Sequence, residues 1–187
     1  MRSRQAEFRA AGLLTLLAAA GAAGCGRDAA EPAAAAPLTD DDAAAAAVWA
    51  TFRDAFVNKE WEAAWGHFTP AAQEAVAARF DTLRREAAAG SPERVAQLNA
   101  MGLRPADLQA MDAKGFFIRS MRHLVTAEHL RPSWEKLRGD MAGSRVISVR
   151  RRGDEAVLVV RDGAGKETST GARRVGGAWR VDFQAGP

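Results

Sequence analysis

Side chains able to do chemistry are few in this chain and widely spaced. Histidines stand at 67, 123 and 129, Cys25 is the single cysteine, and there is no tyrosine. One cysteine can form neither an internal disulfide nor a zinc–thiolate set, and no two histidines have zinc-ligand spacing. The chain therefore offers no metal site, and no cofactor motif accompanies it. His67 lies beside Phe68 among aromatic residues and is the histidine placed to sit near an apolar pocket. A general base must lie within hydrogen-bond reach of the proton it takes. That makes His67 the candidate catalytic residue, weighed against a structural place at a helix end. His123 falls about 120° from the stripe Phe117–Met121–Leu124 by helical periodicity and is expected at the surface. His129, six residues on, would not share its face. Asp182 alternates with Trp179, Val181 and Phe183 and is expected to point away from them.

Other residues suggest binding. Residues 143–187 hold nine basic and five acidic side chains, against 13 and 15 over 40–142. Arg150–Arg152 with Arg173 and Arg174 would make one end of a sheet basic, able to meet anionic lipid headgroups or an acidic partner. The simpler account is a solvated strand edge guarded by charge. Arg152-Gly153-Asp154 is accounted for by a hairpin turn. Tryptophans at 49, 61, 65, 134 and 179 are most simply core. A sharper alternative is a small-ligand pocket lined by Trp49, Phe52, Phe56, Trp65, Phe117, Met121 and Trp179.

The elements that must hold these residues are legible from caps and periods. Thr39 followed by Asp40-Asp41-Asp42 is a helix start: a capping hydroxyl, then acids at the positive end of the helix dipole. Val48, Trp49, Phe52 and Phe56 then share one face. Asn58-Lys59 interrupts before a short helix with Trp61, Ala64, Trp65 and Phe68. Thr69-Pro70 pairs a cap with proline at the first helical position, ahead of the stripe Ala72, Val76, Phe80, Leu83 and Ala87, and Gly90 ends that helix. Ser91-Pro92 repeats the signal. Asp112 caps the helix carrying Phe117, Met121 and Leu124, and a last helical piece holds Trp134, Leu137 and Met141 before Gly143.

From Ser144 the period changes from 3.6 to 2. Strands are predicted over Arg145–Arg152, Glu155–Arg161, Glu167–Val175 and Ala178–Phe183, with Gly153-Asp154 and Gly176-Gly177 as hairpin turns. Centring the first turn on Gly153-Asp154 places Ile147 and Val149 on one face with Ala156, Leu158 and Val160. The next register depends on the loop near Asp162–Gly165. An even loop sets Trp179 on the face opposite Ile147, an odd one aligns them, because a slip of one residue reverses every side chain. The fold class is α+β, with N-terminal helices packed on a C-terminal four-stranded curved antiparallel sheet. A domain of about 150 residues buries about 68–70% of its unfolded surface, enough for one core.

The stretch Met1–Cys25 reads differently from all of this. Arg2, Arg4 and Arg9 precede 17 uncharged residues from Ala10 to Gly26. That run is short of the roughly 20 residues a membrane-spanning helix needs, and the pattern is that of a secretory signal. Ala22-Ala23-Gly24-Cys25 resembles a bacterial lipoprotein box, with Ala22 where the family usually has a branched aliphatic. The resemblance implies removal of residues 1–24, a diacylglycerol on the Cys25 thiol and an acyl chain such as palmitate on its amino group. Two acyl chains anchor stably where one binds weakly. The alternative is cleavage after Ala20-Gly21-Ala22, leaving Cys25 a free thiol. Residues 25–38 comprise the modified cysteine and a flexible Ala- and Pro-rich tether. Its 13 residues after Cys25 give a span of about 20 Å. Residues 39–187 form the domain.

Removing residues 1–24 takes away three Arg and one Glu, so the net charge falls from +3 to +1. A nearly neutral mature chain is a poor nucleic-acid binder. Gly26 follows the cysteine in place of the Asp associated with inner-membrane retention. The expected location is thus the cell envelope, lipid-anchored, on the periplasmic face of the outer membrane in a two-membrane bacterium.

The order of elements, over residues 43–68 and 145–183, resembles the nuclear transport factor 2-like fold of small bacterial envelope lipoproteins. A capped helix, a short aromatic helix (Trp61, Trp65, Phe68) and a meander ending Trp179-Arg180-Val181-Asp182-Phe183 carry that resemblance. So does the hairpin Val149-Arg-Arg-Arg-Gly-Asp-Glu-Ala-Val-Leu-Val-Val. The middle, 69–142, is more helical than the family's core. The resemblance implies a sheet curled around helices into a cone, used as a ligand pocket, a catalytic pocket or a bare core. The isomerase branch adds a phenol as oxyanion donor, which a chain without tyrosine cannot build. Three function classes stay open: a tethered module that binds an envelope protein or small apolar ligand, a pocket enzyme of the isomerase or lyase class, and a homodimer paired through its sheet.

Overall fold

The computed structural model describes residues 39–100 and 102–183; the signal sequence, Cys25 and tether expected at 1–38 lie outside the described residues. Helices come first: α1 Asp40–Val57, α2 Trp61–Gly66, α3 Pro70–Ala88, α4 Pro92–Ala100, α5 Pro105–Gln109, α6 Ala113–Thr126 and α7 Arg131–Ala142. Four strands follow, β1 Arg145–Arg152, β2 Glu155–Arg161, β3 Glu167–Val175 and β4 Ala178–Asp182, antiparallel in the order β1-β2-β3-β4. The chain is α+β, helices then a four-stranded antiparallel meander, as its periodicity predicts.

α1 organises the packing. The Thr39 hydroxyl accepts from the Asp42 N–H at 3.2 Å and donates to its carboxylate at 2.7 Å, which secures the first turn. Ala45, Val48, Trp49, Phe52, Ala55 and Phe56 then bury one stripe against the sheet. The helix stops where Lys59 turns to a left-handed φ of 64°. There the Glu60 N–H reaches Ala55 O at 2.8 Å and the Lys59 N–H reaches Phe56 O at 3.1 Å, closing the free carbonyls.

A pair of bonds ties this helix to the start of the sheet. The Trp49 indole N–H donates to Ser144 Oγ at 3.0 Å, and Arg53 donates to the Ser144 carbonyl at 2.9 Å. Ser144 is buried. Removing its hydroxyl strands a buried indole donor, so Ser144→Ala is expected to cost about 1–3 kcal/mol, read as a lower urea midpoint with unchanged slope.

The core face of the sheet carries Ala156, Leu158 and Val160 of β2, Ala172 of β3 and Val181 of β4. Gly153, at φ +62°, opens the first hairpin turn, the conformation glycine supplies at the first position of a two-residue loop. Val149 pairs with Leu158 as expected, but the register shifts between Val146 and Ser148. This bulge seats Val146, in place of Ile147, opposite Val160, and turns Ile147 to the outer face. The expected placing of Ile147 beside Val149 is thereby corrected. In the next connection Arg161 pairs with Glu167, so the loop is five residues, Asp162–Lys166. The Asp162 carboxylate builds it, accepting from the N–H groups of Ala164 at 2.9 Å and Lys166 at 2.8 Å. The odd loop puts Trp179 and Val181 on the core face. Trp179 and Ile147 nonetheless lie on opposite faces, because the bulge has moved Ile147.

The chain between α2 and α3 runs beside β4. Val181 N–H donates to His67 O at 2.7 Å and Thr69 N–H donates to Val181 O at 2.9 Å, with Phe68 bridged in parallel to Val181. Thr69 is 1% exposed and caps α3 through the Ala72 N–H.

Candidate functional site

The residues expected to line a pocket meet in the core. Phe52 is fully buried, and its ring centroid lies 5.6 Å from Trp49, 5.9 Å from Phe56 and 5.7 Å from Phe68. Phe68 stands 5.4 Å from Phe117, which in turn is 5.5 Å from Trp65. On the other side, Phe56 and Trp61 each lie close to Trp134, both pairs 5.8 Å apart. Tilted and edge-on contacts at these distances are the preferred aromatic geometry. Met121 is buried in the same cluster. Trp65 and Phe183 are half-buried at its rim. Trp179 sits apart from this set of rings. Its ring packs under Arg174, the guanidinium carbon 5.1 Å from the centroid.

His67 follows α2 as its C-cap. Its carbonyl accepts from β4, and the neighbouring Gly66 carbonyl accepts from the Arg180 guanidinium. Burial first, and the Arg180 charge second, push the His67 pKa below that of an ordinary histidine. The neutral imidazole is therefore favoured over the charged one more than in a free histidine. Because the unfolded chain takes up this proton first, the stability His67 contributes is complete above about pH 6.5 and falls as the pH drops below it. Expressed as urea midpoints between pH 8 and pH 5, wild type is expected to lose more than His67→Gln; equal slopes would remove His67 from the acid response.

The other histidines approach one another. A short 3-10 turn at Glu128–Leu130 reverses the chain after α6 and brings the His129 ring within 6.2 Å of His123. Six residues apart, they would not share a face even on a continued helix, and it is the turn that brings the rings together. Their geometry does not suit a shared metal ion. His123 Nε2 bonds the Ala100 carbonyl at 3.1 Å, and Gly102 lies so close that an added Cβ would be 2.5 Å from Nδ1. His123 is half-buried as a result, where periodicity placed it at the surface. Among the described residues no three His, Cys, Asp or Glu side chains could hold a metal ion.

Asp182 points away from the core face, as alternation predicts, yet it is only 1% exposed. Arg173 Nε lies 3.5 Å from its carboxylate. Sequence reasoning gave no sign of that burial. The basic hairpin end is also less basic than its own residues suggest. Asp41 meets Arg174 at 2.7 Å and Arg151 at 3.5 Å, and Asp42 meets Arg151 at 3.1 Å. The Thr39 hydroxyl, and then Arg151, hold the Asp42 carboxyl below the ordinary range. The acids that start α1 thus neutralise the arginines on the inner face of the sheet.

No protein-family model matches the chain. Comparisons with curated proteins and with solved structures find no match either. The functional reading therefore rests on the residues themselves. No described helix is long and apolar enough to cross a membrane.

Proposed function

We propose that this chain is a lipid-anchored protein of the bacterial cell envelope, held through Cys25, whose domain binds a partner or small apolar ligand without catalysing a reaction. The observation that carries this reading is the sequence Ala22-Ala23-Gly24-Cys25 at the end of an uncharged run behind three arginines. Such a run ends in a cysteine at the place where acylation would leave it amino-terminal. The domain begins at a well-formed cap on Thr39, far enough along the chain to leave a tether. Helices followed by an antiparallel meander support the nuclear transport factor 2-like resemblance. The interlocked rings around Phe52 favour a packed interior over an enzymatic pocket. His67 closes α2 as its C-cap, and its carbonyl bonds β4, in keeping with a structural place at a helix end. The proposed location is the periplasmic face of the outer membrane in a two-membrane bacterium.

Metabolic labelling with a fatty-acid probe tests the anchor. The wild-type chain is expected to take up label and to sediment with membranes, and Cys25→Ala to take up none. An unlabelled wild-type chain would reject the anchor and return Cys25 to a free thiol.

A further inference from the structure

We infer that the outer face of the β-sheet is a docking surface for anionic phospholipid, against which the tether holds the domain; this rests on the anchored reading above. The inference follows from how charge divides between the two faces. On the inner face Arg151 and Arg174 are taken by Asp41 and Asp42. The register sends Arg145, Arg150, Arg152, Arg161, Arg173 and Arg180 to the outer face. They share it with three acids, Glu155, Glu167 and Asp182. Arg161 pairs with Glu167 at 2.6 Å, and Arg173 with Glu155 at 3.0 Å and Asp182 at 3.5 Å. Arg145, Arg150 and Arg152 are exposed and have no carboxylate partner among the described residues. Between these arginines lie Ile147, Val157 and Val159, half-buried and outside the core cluster. Arginines around a short apolar strip fit phosphate groups at the polar boundary of a bilayer.

Position favours a membrane over a soluble acidic partner. The tether joins the domain at Thr39, and the first turn of α1 touches Arg151 and Arg174. Their sequence neighbours Arg152 and Arg173 project from the other side of the same sheet end. A tether of about 20 Å keeps this face near the bilayer. A modest charge excess, too weak to recruit a free protein, then acts at high effective concentration. A soluble partner gains nothing from the tether.

The test removes acylation from the question. Every core side chain among the described residues lies between Ala45 and Val181, so residues 26–187 carry all of that core. An amino-terminal histidine tag on this segment, held by a nickel-chelating lipid in nanodiscs, replaces the natural anchor. The segment has no cysteine, so Ser148→Cys on the outer face, or Ala78→Cys on α3, can each carry one environment-sensitive dye. Discs of phosphatidylcholine alone are compared with discs containing one-quarter phosphatidylglycerol. The Ser148→Cys dye is expected to brighten about twofold in the anionic discs and the Ala78→Cys dye to stay unchanged. Arg150→Glu with Arg152→Glu, or 0.5 M salt, is expected to abolish the gain, with the far-ultraviolet spectrum of the double variant confirming its fold. Equal signals in the two kinds of disc, or a gain that survives charge reversal, would overturn the inference and point to an acidic protein or no partner. Fatty-acid labelling fails or succeeds separately, so the two readings can fall independently.

Discussion

Phe52→Ala is expected to destabilise the domain by about 3–5 kcal/mol, the range for deleting a fully buried aromatic side chain. The ring is 0% exposed and meets Trp49, Phe56, Phe68 and Phe183. It therefore joins α1, the chain after α2 and the end of β4. Domains of this size have a total stability of about 5–15 kcal/mol, so the variant would sit close to unfolding at room temperature. Phe52→Leu should lose less, because it keeps part of the buried volume. Urea unfolding followed by far-ultraviolet circular dichroism measures both. A loss below about 1 kcal/mol for Phe52→Ala would mean that the ring borders open space. That result would place Trp49, Phe56 and Phe117 at the wall of a ligand pocket.

Trp134→Ala is the second large effect, expected in the same range of about 3–5 kcal/mol but with a different distribution. Trp134 is the buried residue of α7, at 2% exposure, and packs on Phe56 and Trp61. Leu137 and Met141 of the same helix only half enter the core. Truncation should therefore release α7 before the rest of the domain opens. Hydrogen exchange is expected to rise over residues 131–142 well ahead of α1. Uniform acceleration in both helices would show that α7 has no independent opening.

Most helices were legible because they carry their own signals, whereas the short α5 at Pro105–Gln109 was not foreseen, Gly102 and Pro105 reading as a break. Thr39, Thr69-Pro70 and Asp112 lie at caps, and the stripes behind them are the buried ones. The Gly153-Asp154 turn was equally plain, since hairpins of that length demand particular residues. Three other features were hidden for a common physical reason: each depends on contacts distant in sequence or on a local irregularity without a residue signature. No residue type marks Ile147 as a bulge. The five-residue loop depends on the Asp162 carboxylate accepting two backbone donors, which a count of turn residues cannot see. The neutralisation of Arg151 and Arg174 needs acids more than 100 residues away in the chain. Of the candidate site, the aromatic set was found by type and spacing. Periodicity alone does not say whether such rings surround a space or fill it, nor that Trp179 stands apart under Arg174.

The short segment from His67 to Thr69, bonded along β4 through Val181, gives the sheet a direction. An uncovered strand edge is a template that any extended chain can lengthen. One margin of this sheet is already engaged at Val181 by the chain's own backbone, and β1 forms the other margin. That margin is twisted by the break at Ile147 and crowded with arginines, both of which hinder further pairing. The domain thus terminates its own sheet at one side with covalently attached chain and at the other with shape and charge. Neighbouring copies, even when crowded, would find no easy seam along which to polymerise.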